Sequence, residues 1–239
     1  MERRSLLVTG VSSGIGYALA EEALRRDWQV WGLSRRCPAT LVESGLKHQS
    51  VDFADSAALL EVLPRFLASA PDWDLVVLSA ATLGAFDDVA RVTVADLQEA
   101  WNTNVLANKL LMDSLLSAGA TLPRVVAVSS GAGLEPKRGL PGYCVSKAAL
   151  NMLMRLYALE LPASHLCLLL PGIVDTPMQG QLASRSDDER YPILRELKRR
   201  REAGQLVDPR HLASRLLDVY RQLPEKTVSG GVLSFASFS

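Results

Sequence analysis

An α/β fold, with a seven-stranded parallel sheet wound by helices on both faces, is what this sequence predicts. Three observations carry the prediction. Short runs rich in Val and Leu recur along the chain without strict apolar–polar alternation, as strands covered on both faces require. Longer stretches with helical spacing separate them, the order that gives parallel sheets. A glycine-rich turn joins the first run to the first helical stretch. With 239 residues, 48% of them hydrophobic and 22% charged, the chain can build one large core.

The elements follow in order. Residues 5–9 read as the first strand, and Ile15, Ala18, Leu19 and Ala23 then recur at helical spacing. Strands are predicted at 29–34, 48–53 and 74–80. Leu97, Trp101, Val105 and Leu111 mark a helix over about 96–118, and 124–129 is the fifth strand. Ala149, Leu153 and Leu156 lie in a helix over about 143–161, and 165–170 is the sixth strand. Residues 178–206 break the alternation. They are polar and helical, carry the basic run Lys198–Arg201, and follow the Pro171-Gly172 turn, which suits a substrate lid. The plainer reading of the basic run is a solvated helix face. A helix over about 209–222 and a weaker strand at 231–235 complete the chain. No Pro/Gly/Ser-rich boundary divides it, so residues 1–239 are expected to form a single domain.

Composition excludes several classes. Twenty-six basic and 26 acidic residues balance, which argues against a general nucleic-acid binder. Cys37, Cys144 and Cys167 are odd in number and form no CxxC pair, so neither a disulfide framework nor a metal site is expected. Met1-Glu2-Arg3-Arg4 runs into an apolar stretch too short for a signal peptide or a membrane span. The expectation is a cytoplasmic protein without a membrane partner.

The chemistry concentrates at strand ends. Thr9-Gly10-Val11-Ser12-Ser13-Gly14-Ile15-Gly16 leaves the first strand and opens a helix. Glycines allow a tight turn and close ligand approach, and the helix N-terminus favours phosphate charge. Gly10, Ser12, Ser13, Gly14, Ile15 and Gly16 are therefore candidates for holding a dinucleotide. The spacing is not GxGxxG, and no GK[S/T] follows, so this is not a nucleotide-hydrolysing loop. The second strand ends in Ser34-Arg35-Arg36, where an acidic residue would select a ribose 2′-hydroxyl. Two guanidinium groups there suit a 2′-phosphate instead, so the cofactor expected is NADP(H), with Arg35 and Arg36 as its readers. Tyr143 and Lys147 share one helix face, Ser130 lies thirteen residues before Tyr143 at a strand end, and Asn104 lies on the preceding helix.

Thr9-Gly10-x3-Gly14-x-Gly16, Asn104, Ser130, Tyr143-x3-Lys147 and Pro171-Gly172-Ile173-Val174-Asp175-Thr176 together resemble the short-chain dehydrogenase/reductase family, over nearly the whole chain. The resemblance implies a Rossmann-type fold and an oxidoreductase with Asn104, Ser130, Tyr143 and Lys147 catalytic. A phenol has a pKa of about 10, and an ammonium one turn away is expected to lower it. Tyr143 would then exchange a proton with a carbonyl oxygen while Ser130 hydrogen-bonds that oxygen. Lys147 would also hold the nicotinamide ribose, and Asn104 would place a water beside Lys147. Asp52 and Phe53 match the adenine contacts, and Pro171, Gly172, Ile173 and Thr176 the nicotinamide side. Ser79-Ala80-Ala81 stands where the family carries Asn-Ala-Gly, a departure expected to loosen the central sheet without abolishing binding. Leu134, Glu135, Leu140 and Met178, with Ser130 and Tyr143, would border the substrate. Leu106, Leu110, Leu150 and Met154 lie beyond one apolar stripe, and family members pair through these helices, so a homodimer is implied, with a tetramer as the alternative.

Within the family, the stretches Ala81–Gly84, Tyr143–Lys147, Pro171–Gln179, Gly204–Asp208 and Ser229–Phe235 resemble sepiapterin reductases and benzil-type diketone reductases. Animal sepiapterin reductases carry a carboxylate near the C-terminus that anchors the pterin, and Ser234 stands at the matching place. That shifts the expected small-molecule substrate toward a less polar dicarbonyl or aryl ketone. A 3-oxoacyl or sugar-alcohol dehydrogenase, and an inactive NADPH sensor, are the competing readings.

Overall fold

A computed structural model describes residues 3–186 and 189–238. Met1, Glu2, Ser239 and residues 187–188 of the expected lid lie outside the described residues. Seven strands are described: β1 (Ser5–Thr9), β2 (Gln29–Ser34), β3 (Lys47–Ser50), β4 (Leu75–Leu78), β5 (Arg124–Val128), β6 (His165–Leu170) and β7 (Gly231–Ser234). They form one sheet in the order β3-β2-β1-β4-β5-β6-β7, and each pairing is parallel.

Alternation along the strands builds two cores. In β1, Leu6 and Val8 face one side and Leu7 the other; in β4, Leu75 and Val77 oppose Val76 and Leu78. Both sets are apolar, so each face must be covered. On one side lie α1 (Gly14–Arg25) and α9 (Pro209–Val219), with α2 (Ala39–Glu43) near the edge. On the other lie α3 (Ser56–Leu67), α5 (Ala107–Ser117) and α6 (Pro141–Glu160). Strand order reverses at β1, between β2 and β4, which opens a crevice beyond the carboxyl ends of β1 and β4.

Several boundaries differ from those the sequence predicts. The third strand ends at Ser50 rather than at residue 53, because the Asp52 carboxylate accepts from Ala54 N at 2.9 Å and turns the chain. Val51 and Phe53 stay buried beneath the sheet. The fourth ladder covers 75–78 rather than 74–80. Periodicity alone did not mark α3, whose buried face is Leu59, Leu63 and Leu67 and which contains Pro64; Asp55 caps it by accepting from Ala58 N. The helix expected over 96–118 is two helices, α4 (Val94–Trp101) and α5, joined by a π-helical turn at Asn102–Leu106. A capping box between Thr93 and Asp96 starts α4.

After β6 come α7 (Pro177–Ala183) and α8 (Pro192–Glu202). A single parallel bridge, Val174 to Val207, ties the two ends of this excursion together. The basic run is a solvated face with its own carboxylates: Arg199 and Arg200 pair with Glu196, and Arg201 reaches Asp175 at 3.2 Å. Leu194 and Leu197 of the same helix are buried.

The apolar residues offered for pairing need correction. Leu150 and Met154 are buried in this chain's own core, with Leu110 packed against them. The residues that α4 and α6 leave exposed are Val94, Trp101, Val145, Met152, Leu156 and Leu159. No helix among the described residues is long and apolar enough to cross a membrane.

Candidate active site

The glycine turn fills the crevice at the end of β1. Gly10 has φ of 79°, and a side-chain carbon there would stand 3.0 Å from Ala80 Cα. Gly14 has φ of 61°, with Thr176 closing on it from the loop after β6. At Gly16 the same carbon would be 2.5 Å from the Gly10 carbonyl oxygen, so only glycine lets α1 start this close to β1. Ser13 is the N-cap of α1, but its side chain makes no capping bond, and no acidic residue occupies the first turn. The first N–H groups of α1 are thus left for an anion. Ser12, Ser13 and Ile15 line the turn, each half-buried. These residues fit a dinucleotide pyrophosphate.

Ser79, Ala80 and Ala81 follow β4. The Thr9 hydroxyl accepts from Ser79 N at 2.9 Å and from Ala80 N at 3.0 Å. This buried bond braces β1 to β4, so the loss of rigidity expected from Ser79 has a compensating contact. At the adenosine end, Arg35 and Arg36 are exposed, and Arg35 Nη1 lies 3.8 Å from Asp52 Oδ2. The Phe53 side chain is buried in the core.

Three predicted residues converge beyond β5. Ser130 follows the strand and caps a short 3-10 turn, its hydroxyl accepting from Ala132 N at 3.1 Å. The same hydroxyl lies close enough to the Tyr143 phenol to favour its charged form. Lys147, one turn along α6, has its Nζ 5.7 Å from the centre of the Tyr143 ring. The electrostatics differ from the expectation. Burial raises the Tyr143 pKa, and the Ser130 hydroxyl offsets part of that. Burial also pushes Lys147 down to about 8. The Lys147 Nζ donates to the Val128 carbonyl at 2.8 Å.

Asn104 is buried in the π-helical turn, and its side chain is fully engaged. Its Nδ2 donates to Thr82 O and to Ser146 Oγ, both at 2.9 Å, while its Oδ1 accepts from Thr82 N at 2.8 Å. It therefore ties the loop after β4 to α6. Its backbone carbonyl, in the widened turn, accepts from Asn108 Nδ2 at 2.8 Å.

The substrate side is apolar. Leu140, Leu182, Tyr191, Leu194 and Leu197 form a third buried cluster, against which Leu83, Phe86, Tyr143 and Ile173 pack. Phe86 and Tyr191 meet edge to face at 4.7 Å. Leu134 is exposed, Glu135 is exposed and paired with Lys137, and Met178 is half-buried. Pro171 is buried, Gly172 takes φ of 77°, and Thr176 caps α7. Ser234 is exposed at the end of β7, its hydroxyl accepting from Ala236 N.

Some members of the site were not foreseen. Asn151 continues the Tyr143–Lys147 face at the next i+4 step, a signal present in the spacing; it accepts from Ser129 Oγ at 2.5 Å and donates to Gly133 O. Asp87, Asp88, Arg138, Arg190 and Tyr191 had no such signal. Asp88 takes Arg138 in two bonds of 2.7 and 3.0 Å and Arg190 at 2.6 Å, and Tyr191 OH donates to Asp87 at 2.8 Å. The loop after β4 thereby fastens the segment that carries α8.

Comparison with known proteins agrees with this geometry. The short chain dehydrogenase family pattern matches residues 4–187. A benzil reductase ((S)-benzoin forming) of Bacillus subtilis is 28% identical, over 97% of this chain and 98% of its own. Sepiapterin reductase of Bos taurus is 32% identical over 98% of this chain and 85% of its own. A short chain dehydrogenase/reductase of Saccharomyces cerevisiae, known from its crystal structure, superposes with a TM-score of 0.84 at 25% identity, covering 97% of this chain and 96% of that one.

Proposed function

Because this chain belongs to the short-chain dehydrogenase family, an oxidoreductase family, we propose that it is an NADPH-dependent carbonyl reductase acting on a dicarbonyl or aryl ketone. The observation that carries the reading is the convergence of Ser130, Tyr143 and Lys147 beyond the carboxyl end of β5, in a sheet whose β1 ends in the glycine turn. The apolar, aromatic cluster around Tyr143 supports a weakly polar substrate, and the exposed, neutral Ser234 supports a substrate other than a pterin. Arg35 and Arg36, with no carboxylate at Ser34, support NADPH over NADH.

When bound, the nicotinamide cofactor supplies the hydride. The α1 N-terminus and Gly10, Gly14 and Gly16 would hold its pyrophosphate, and Ile173 and Thr176 its nicotinamide end. Tyr143 donates a proton to the carbonyl oxygen during reduction and recovers it in the reverse direction. Ser130 donates a hydrogen bond to that oxygen as negative charge grows on it. Lys147 leaves Val128 for the ribose and the phenol, and its charge then lowers the phenol pKa. Asn104 holds the loop after β4 against α6, and its backbone carbonyl would accept from a water beside Lys147. The excursion 178–206 acts as a lid that excludes bulk water. Residues 1–239 act as one domain, and the protein works in the cytoplasm as a homodimer built on α4 and α6.

The test is NADPH consumption, followed by its absorbance, with benzil, 1-phenyl-1,2-propanedione, sepiapterin and an acetoacetyl thioester. The diketones should turn over with the highest kcat/KM. Preference for the thioester, or no turnover despite tight NADPH binding, would contradict the reading.

A further inference from the structure

We propose that His48 is a specificity-determining residue for the cofactor: through Ser34 it fixes the turn that presents Arg35 and Arg36 to a ribose 2′-phosphate. This deepens the NADPH reading above and rests on it. The turn is held at three successive carbonyls, two of them from the end of β3 and the residue after it, the third from Ser34 itself. Val51 N donates to Ser34 O at 3.2 Å, Ser50 Oγ donates to Arg35 O at 2.8 Å, and Ser34 Oγ donates to Arg36 O at 2.8 Å. The Ser34 hydroxyl has one proton, and it is committed to Arg36. Its contact with His48 Nε2 at 3.0 Å therefore requires the imidazole to be the donor. Burial lowers the His48 pKa, so the ring is neutral near pH 7, with its proton on Nε2.

Ser34 is itself buried, so its hydroxyl depends on His48 for the second half of its hydrogen bonding. The consequence falls on the arginines. Both project outward, and Arg35 is restrained only by the distant Asp52 carboxylate. A fixed backbone lowers the ordering cost when a guanidinium grips a phosphate. A cofactor with a bare 2′-hydroxyl makes no such grip and draws no benefit from the fixed turn. His48 is thus a positioning residue, and its signature is a change in the ratio of the two affinities rather than in affinity as a whole.

The experiment is titration of the full-length protein with NADPH and with NADH, followed by calorimetry, for the wild type, His48→Ala, His48→Gln and Arg35→Ala. His48→Ala should weaken NADPH about five- to tenfold, the scale of one hydrogen bond, and leave NADH within about twofold. His48→Gln keeps an N–H donor and should restore most of the loss. Arg35→Ala should show the same selective loss, more strongly. An unchanged ratio in His48→Ala, or equal weakening of both cofactors, would overturn the role of His48 while leaving the NADPH reading intact. A wild type that binds NADH more tightly than NADPH would overturn that reading itself, and this proposal with it.

Discussion

Lys147 Nζ donates to the backbone carbonyl of Val128 at 2.8 Å, beyond the last residue that β4 pairs with β5. The side chain is buried, and its pKa falls from 10.5 to about 8. Between those values the unfolded chain holds a proton that the folded chain has released, so stability from this group rises with pH across the window. Below pH 8 the buried charge costs its full amount. Lys147→Met removes the charge. Its melting temperature relative to wild type should be highest below pH 8 and should fall toward pH 10.5, the pH-dependent part being on the order of 2–3 kcal/mol. Thermal melts of both proteins across this range check it; a constant difference would contradict the burial argument.

Gly16→Ala sets a methyl group 2.5 Å from the Gly10 carbonyl oxygen and 2.8 Å from that of Thr9. Backbone atoms cannot swing aside, so α1 must shift off β1. A loss of about 1–3 kcal/mol in stability and of most NADPH affinity is expected, read by melting and titration. Gly180→Ala, which meets nothing within 4 Å, is the control and should leave both unchanged.

Asp88 binds Arg138 and Arg190, which hold its carboxyl far below the usual range. The fastening is therefore charged throughout the physiological pH range and sensitive to salt rather than to pH. Asp88→Asn should speed hydrogen exchange across residues 190–202 and raise KM for the ketone severalfold with a smaller effect on kcat. Raised salt should reproduce part of that change in the wild type and little in the variant.

Val145 stands exposed on α6 near Val94 and Trp101 of α4, and Met152 is exposed two turns further along α6. An apolar surface of this kind suits a second copy of the chain. Val145→Glu places a charge on it and should convert a dimer to a monomer in light scattering without lowering helix content. An unaltered mass would place the contact elsewhere.

The sheet was legible because both faces of each central strand are apolar, and that pattern sits in consecutive residues such as Leu6, Leu7 and Val8. The candidate catalytic pair was legible because Tyr143 and Lys147 are local to one helix face. Contacts made across the fold were not. Nothing in the order of residues joins Asp88 to Arg190, and the Thr9 brace on Ser79 depends on the β1–β4 pairing. The direction of the Tyr143 shift in the free protein was not legible for a related reason: spacing places Lys147 one turn from the phenol, but the burial that raises Tyr143 and lowers Lys147 follows only from the packed fold.

The central claim is that the Tyr143 phenol delivers the proton to the substrate carbonyl. The direct measurement is single-turnover reduction of benzil by NADPH-loaded Tyr143→Phe beside the wild type, with NADPH affinity titrated on the same samples. The rate should fall by about 10²–10⁴ while NADPH affinity stays within a few-fold. A Tyr143→Phe protein that turns over benzil near the wild-type rate would contradict the account.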